Sequence, residues 1–94
     1  QLAAARNRIA LGVQEDYQSL RSAQAALEVS RLDLDVARES LDVLLKRFEL
    51  GEGDLAGVES ARRLEAEKWI AWYAARYQLE RAGWAIMHRA GTLS

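Results

Sequence analysis

Cysteine and proline are both absent from this chain of 94 residues, and His88 is its only histidine. The absence of cysteine excludes disulfides and thiolate metal sites, and His88 has no second His or Cys with which to share a metal ion. No Gly-rich phosphate loop follows a strand-like segment, and no nucleophile is patterned with a base. We therefore predict no catalytic residues, no metal site and no cofactor, and hence no enzyme activity.

Charge of one sign is also scarce, because 13 basic residues are balanced by 14 acidic ones and the net charge is −1. The basic residues are interspersed with acidic ones, whereas a nucleic-acid site needs a basic patch that neutralises successive phosphates. No apolar run approaches the roughly 20 residues of a membrane-spanning helix. The sequence thus predicts no nucleic-acid partner, and contact with a membrane only through parts of a parent protein outside this segment.

The abundant residues favour helix, since the chain contains 17 Ala and 14 Leu and no alternating run of β-branched residues. The one strong interruption is Gly51-Glu52-Gly53-Asp54. We predict an all-α fold, a long antiparallel two-helix coiled-coil hairpin that forms one domain over residues 1–94. Its helices are expected over about residues 2–50 and 55–90, with a turn at 51–54. Because the first residues already read as the middle of a helix, we expect a fragment of a larger protein.

The turn carries the residue types that end one helix and begin another. Gly51 can adopt the left-handed conformation of a helix C-terminus, and two cations in the preceding turn, Lys46 and Arg47, complement the helix dipole. Asp54 is the expected N-cap of the second helix, because its carboxylate can accept hydrogen bonds from free backbone N–H groups. Gly91 is the expected end of that helix.

Apolar residues recur every seven positions along the first helix, in two separate series. One series, with mostly small residues three positions after its members, consists of Val13, Leu20, Leu27, Leu34, Leu41 and Phe48. The other consists of Val29, Val36, Val43 and Leu50. The second series lies two positions after the first, and two residues turn a helix by about 200°, so it occupies nearly the opposite side. One hairpin partner cannot cover both sides.

The second helix also has two heptad series. One consists of Ile70, Tyr77 and Trp84, and the other of Val58, Trp72, Leu79 and Ile86, with Glu65 between its first two members. We interpret the aromatic residues as packing between helices rather than as a ligand site. Helices that are apolar on two sides fit a ring in which every helix has a neighbour on its left and right. Pairing outward from the turn leaves the first eleven residues without a partner in this chain.

Several short motifs follow one another at fixed distances from the turn to the C-terminus. They are Arg47-Phe48-Glu49-Leu50-Gly51, then Val58 and Ala61, then Ala75-Arg76-Tyr77, and finally Gly91-Thr92-Leu93. Their order and spacing resemble those of the periplasmic α-helical hairpin of TolC-like outer-membrane efflux proteins. The resemblance covers roughly residues 12 to 93, and the spacing makes it more specific than any one motif.

This resemblance implies one hairpin of the α-barrel of a trimeric outer-membrane channel that serves tripartite efflux or type I secretion. The segment would then lie in the periplasmic part of an outer-membrane protein of a Gram-negative envelope. It would associate with neighbouring hairpins, and its tip would dock on the hairpin of a periplasmic adaptor protein. The expected adaptor-binding residues are Leu50, Gly51, Glu52, Gly53, Asp54 and Leu55.

The sequence departs from the family pattern at the turn. Glu52 stands where an apolar residue is frequent, Gly57 where an acidic residue is usual, and Ser60 where a second Asp often follows. Gly57, Glu59 and Ser60 are the pore-entrance candidates that the resemblance implies. Glu52, Asp54 and Glu59 can supply negative potential there, although helix capping and solvated charge explain the same residues.

Two other interpretations stay open. The first is the α-hairpin of the adaptor protein (membrane fusion protein) itself, whose tip carries a different arrangement of residues. The second is a purely structural coiled-coil dimerisation hairpin, in which the second apolar stripe forms a four-helix bundle and the tip needs no partner. Flanking sequence discriminates channel from adaptor, since β-strand segments indicate the former and lipoyl-like modules the latter.

Overall fold

A computed structural model describes residues 2–93, with side chains described for residues 2–91. Helix α1 spans Leu2–Glu49, 48 residues, and helix α2 spans Leu55–Leu93, 39 residues. The two helices pack against each other, and the Cα atoms extend over 74 × 16 × 14 Å. The predicted all-α helical hairpin is confirmed. The side chains of Thr92 and Leu93, in the predicted closing motif, lie outside the described residues.

The helix ends differ from the prediction by a few residues. Helix α1 ends at Glu49 rather than at residue 50, because Leu50 already belongs to the turn. Helix α2 continues through Gly91 to Leu93, so the predicted end at Gly91 is wrong. Among the described glycines, positive φ occurs only at Gly51 and Gly53. Gly91 keeps a helical backbone, which costs only ~1 kcal/mol relative to Ala.

Contacts between the helices define which residues lie at the same height on the hairpin. The Nζ of Lys68 lies 3.6 Å from a carboxylate oxygen of Asp33, and the guanidinium of Arg89 lies over Gly12. In both pairs the two residue numbers add up to 101. A residue of α1 is therefore level, to within about one helical turn, with the residue of α2 whose number completes that sum.

The buried core is small and consists mainly of residues in the half of the hairpin nearest the turn. Its apolar members are Leu34, Ala37 and Leu41 of α1 with Val58 and Ala61 of α2. Leu44 and Leu45 pack against the cluster of Leu41, Val58 and Ala61. The two alanines leave room for close approach of the helices. The core thus packs the two helices together immediately next to the turn.

The first predicted heptad series of α1 lies at this interface, except at its last member. Leu34 and Leu41 are buried, whereas Val13, Leu20 and Leu27 are half-buried. Phe48 is exposed, so its predicted place in the seam is wrong. The residue level with Phe48 belongs to the turn, where no helix is present to cover the ring. At the other end, Leu2, Ile9 and Leu11 are also exposed. Because α2 extends to Leu93, which is level with Arg8, the segment without a partner is shorter than the predicted eleven residues.

Candidate functional site

The tip of the hairpin, which comprises Leu50 to Leu55, begins with a hydrogen-bonded helix end. The backbone N–H of Glu52 donates to the carbonyl of Arg47 at 2.8 Å, and that of Gly51 donates to the carbonyl of Phe48 at 3.0 Å. Gly51 has φ of 81°. This pair of bonds around a left-handed glycine is the Schellman motif. The prediction that Gly51 ends α1 in a left-handed conformation is confirmed.

The start of α2 is held by the side chain of Asp54. Its Oδ1 accepts a hydrogen bond from the backbone N–H of Gly57 at 2.9 Å, which confirms the predicted N-cap. A Cβ added to Gly57 would lie 3.1 Å from the same oxygen, a close contact. Gly53 has φ of 97°, which glycine tolerates without strain. The turn is therefore specified by two left-handed glycines and one capping carboxylate.

The apolar side chains of the tip point away from the core. Leu50 is 76% exposed and Leu55 is 55% exposed. Glu52 and Asp54 are also exposed, so the tip presents two leucines beside two carboxylates. A cleft of about 290 Å³ opens below them, lined by Leu44, Arg47, Glu52, Gly53, Asp54 and Gly57. The tip residues predicted from the sequence thus form one accessible surface on a rigid, hydrogen-bonded turn.

The three pore-entrance candidates do not form one surface. Gly57 is half-buried beside Asp54, whereas Glu59 and Ser60 are exposed. Since two residues turn a helix by about 200°, Gly57 and Glu59 lie on nearly opposite sides of α2. The Ser60 hydroxyl accepts a hydrogen bond from Arg63 at 3.2 Å. Gly57 serves the helix start, and only Glu59 and Ser60 are accessible.

Exposed apolar side chains form a seam along the side of each helix that faces away from its partner. The α1 outer seam consists of Val29, Leu32, Val36 and Val43, which are 48% to 63% exposed. The α2 outer seam consists of Ile70, Tyr73, Tyr77, Trp84 and Met87, which are 58% to 70% exposed. The prediction that one partner leaves a second stripe uncovered is confirmed on both helices.

Three members of these seams, Leu32, Tyr73 and Met87, were absent from the heptad series found in the sequence. Each lies three residues after a member of such a series, which is the spacing of the second position in a coiled-coil heptad. This three-residue spacing is the sequence signal from which the three residues could have been predicted. With these residues, the outer seam of each helix uses two positions of the heptad, as the inner seam does, rather than a single line of apolar residues.

An aromatic cluster lies on α2 between the inner and outer sides of the helix. The ring of Trp69 stacks on Tyr73 with centroids 6.0 Å apart and meets Trp72 edge-on at 5.9 Å. Arg38 of α1 covers Trp69 at 5.6 Å, and Arg76 covers Trp72 at 5.0 Å. The contact of Arg38 with Trp69 packs α1 against α2 through a cation–π interaction, whereas that of Arg76 with Trp72 lies within α2. Tyr77 and Trp84, in contrast, are not covered by α1.

Within the described part of the chain, no group of three or more His, Asp or Glu residues is arranged to hold a metal ion. Neither described helix has a stretch that is long and apolar enough to cross a membrane. No family model matches this chain, and no curated protein and no solved structure matches it.

Proposed function

We propose that this chain is one hairpin of the α-barrel wall of a TolC-like outer-membrane channel for tripartite efflux or type I secretion. The observation that carries the proposal is the pair of apolar outer seams on opposite edges of one hairpin. Contiguous exposed apolar surface marks a site of association. A hairpin that stands between two neighbouring hairpins in a barrel wall has both of its edges covered. An isolated hairpin leaves both edges exposed to water.

The structure of the tip is suited to docking on the hairpin of a periplasmic adaptor protein, which is part of this proposal. Leu50 and Leu55 supply exposed apolar area at the end of a rod, and the capped turn holds them in one conformation before binding. A preorganised contact loses little conformational freedom on binding. Glu52 and Asp54 beside the leucines favour an adaptor surface that carries basic groups.

Site-specific photo-cross-linking in the parent protein, within its native cell envelope, tests this proposal. A photoreactive residue at position 50 is expected to capture a periplasmic adaptor. The matched control is the same residue at Leu32, in the α1 outer seam, which is expected to capture the channel itself. Capture of an adaptor at both positions, or at neither, would contradict the assignment of the tip.

A structural dimerisation hairpin is the second candidate, and the exposed aromatic residues of the α2 outer seam favour it. That function uses one seam and does not use the tip. The substitution Leu50→Asp separates the two functions, because it places a third carboxylate on the tip. In a channel it is expected to reduce export strongly while assembly stays intact, whereas in a dimerisation hairpin it changes neither activity nor assembly.

A further inference from the structure

Burial is distributed unequally along the hairpin. We call residues 30–71, which include the turn, the tip half, and residues 2–29 with 72–91 the open half. The tip half contains six of the seven buried residues of the described chain, namely Ser30, Leu34, Ala37, Leu41, Val58 and Ala61. The seventh is Gly12 in the open half, which lies under the guanidinium of Arg89. The burial that stabilises the hairpin is thus concentrated in the tip half.

The large apolar side chains on the inner side of the open half are only half-buried. They include Leu20 and Leu27 of α1 and Leu79 of α2. Leu20 is level, to within one turn, with half-buried Ala82, and Leu27 with half-buried Ala75. Because alanine offers little area, such a pair removes less apolar surface from water than a fully buried leucine does. Apolar packing therefore holds the open half together only weakly.

A polar groove runs between the two helices of the open half. Its volume is about 840 Å³, and its polar lining residues are Glu15, Gln18, Ser19, Ser22, Gln78 and Arg81. Among the described residues, none of residues 17–29 of α1 forms a side-chain hydrogen bond or an ion pair with α2. Polar groups that stay hydrated gain little when the two helices close on each other.

Beyond this groove, one contact between charged groups joins the two helices. The Nε of Arg89 donates a hydrogen bond to the carboxylate of Asp16, whose side chain is 16% exposed. Hydrogen bonds between charged groups are roughly twice as strong as those between neutral groups. The contact lies 14 residues, about 21 Å, from Ser30, the nearest buried residue of the tip half in α1. It therefore ties the helices together at the far side of a weakly packed stretch.

We infer that the hairpin consists of a rigid tip half and an open half that can separate, and that the contact between Arg89 and Asp16 holds the open half closed. When this contact breaks, the two helices of the open half move apart and Leu20, Leu27 and Leu79 become exposed to water. Regions with few buried contacts open at lower free energy than a core. The capped turn and the tip keep their structure in both states. The inference concerns the chain itself and does not depend on the proposed function.

Distances between spin labels on the two helices test this inference, and the absence of native cysteine leaves only the introduced thiols to label. Ser19→Cys with Ala85→Cys reports on the open half, and Ser40→Cys with Ser60→Cys reports on the tip half. All four positions are exposed, and the members of each pair are level to within about one turn. The labelled chain is diluted with unlabelled chain so that distances between copies do not contribute.

Three substitutions break the contact in different ways. Arg89→Ala removes the guanidinium, Asp16→Ala removes the carboxylate, and Gly12→Ala keeps both charges but places a Cβ in the path of Arg89. The parent chain is expected to give a narrow distance distribution for both label pairs. In each variant the open-half distance should broaden and lengthen by at least ~5 Å, since packed helices lie about 8–10 Å apart. The tip-half distance should not change.

Arg81→Ala is the matched control, because Arg81 is an exposed arginine in the same half of the hairpin. Its guanidinium lies 5.9 Å from the ring of Tyr77 on its own helix. Its removal is expected to leave both distances unchanged. Asp16→Ala combined with Arg89→Ala should open the hairpin no further than either substitution alone, because both remove the same contact.

Amide hydrogen exchange provides an independent measurement without labels. In Arg89→Ala, residues 76–86 of α2 are expected to exchange about ten-fold faster than in the parent chain, whereas residues 56–61 keep the parent rate. Three results would each overturn the inference. They are an open half that stays closed in all three variants, a tip half that opens together with it, and a parent chain whose open half is already separated.

Discussion

Gly12 of α1 lies directly beneath the guanidinium of Arg89 of α2, which reaches across it to donate a hydrogen bond from Nε to the carboxylate of Asp16. A Cβ on Gly12 would lie 2.7 Å from Cζ of Arg89. Gly12 is buried although it lies near the open end of the hairpin. We call these three residues the clasp. The lone glycine in a long helix is thus explained by the passage of a side chain from the other helix.

The positive charge of the clasp is that of Arg89. The hydrogen bond to Asp16 raises the pKa of Arg89 above its usual value; desolvation opposes this rise, and the nearby charges of Asp16 and Glu15 add to it. A raised pKa means that the contribution of Arg89 to stability is present at neutral pH and is lost only in strongly alkaline solution. The guanidinium of Arg89 therefore keeps its charge at neutral pH.

Substitution in the clasp provides the first prediction. Gly12→Ala is expected to displace Arg89 and end its contact with Asp16, although alanine itself favours helix by ~1 kcal/mol. Arg89→Ala should then lower the Tm clearly in the parent chain but hardly at all in the Gly12→Ala background. A double-mutant cycle by thermal unfolding checks this. Equal Tm losses in both backgrounds would show that Gly12 does not accommodate Arg89.

The second prediction concerns the left-handed end of α1. Gly51→Ala is expected to destabilise the hairpin by ~1 to 2 kcal/mol, because φ of 81° is strained for an L side chain. Gly83→Ala is the control, since Gly83 lies inside α2 with open space around the position of a Cβ. That change should stabilise the fold by up to ~1 kcal/mol. Urea unfolding of both variants measures the opposite signs.

The third prediction concerns the start of α2. Asp54→Ala removes the oxygen that accepts from the N–H of Gly57 and is expected to cost ~1 kcal/mol. Asp54→Asn keeps an accepting oxygen and should retain most of the stability. Amide hydrogen exchange at residues 55 to 58 provides a local readout. If exchange there is unchanged in Asp54→Ala, the cap does not stabilise the turn.

The fourth prediction compares the inner and outer sides of α1. Leu41→Ala removes a side chain that is 8% exposed and packs on Val58 and Ala61, so it is expected to cost ~2 to 5 kcal/mol. Val43→Ala, in the α1 outer seam, should change the stability of the monomer little. It should instead weaken self-association, measured by analytical ultracentrifugation. A large loss of monomer stability for Val43→Ala would mean that the seam is covered within the chain.

The helices, the turn and the two-sided pattern could be predicted because each depends on neighbours in sequence. Gly51 permits a left-handed backbone, Asp54 caps the next helix, and a seven-residue repeat places side chains on one side of a helix. The exposed leucines at the tip follow from the same local pattern. These features need no knowledge of which residues meet across the hairpin.

Other features depended on how the two helices fit together. The heptad pattern allows several heights of α2 against α1, and packing around Leu41 and Ala61 together with the clasp selects one. That height leaves Phe48 opposite the turn and therefore exposed, contrary to the prediction. It also brings Arg89 over Gly12, a pairing for which the only sequence signal was the isolated glycine.

The difference between what the sequence determines and what the tertiary structure decides has a physical cause. Backbone conformation and helix periodicity are set within a few residues, so the chain alone determines an all-α hairpin with apolar residues on two sides of each rod. The relative height of the rods is set by contacts between residues distant in sequence, and only the tertiary structure decides it. That height places Arg89 over Gly12 and leaves Phe48 level with the turn, because the helices are rigid and one contact between them determines the others.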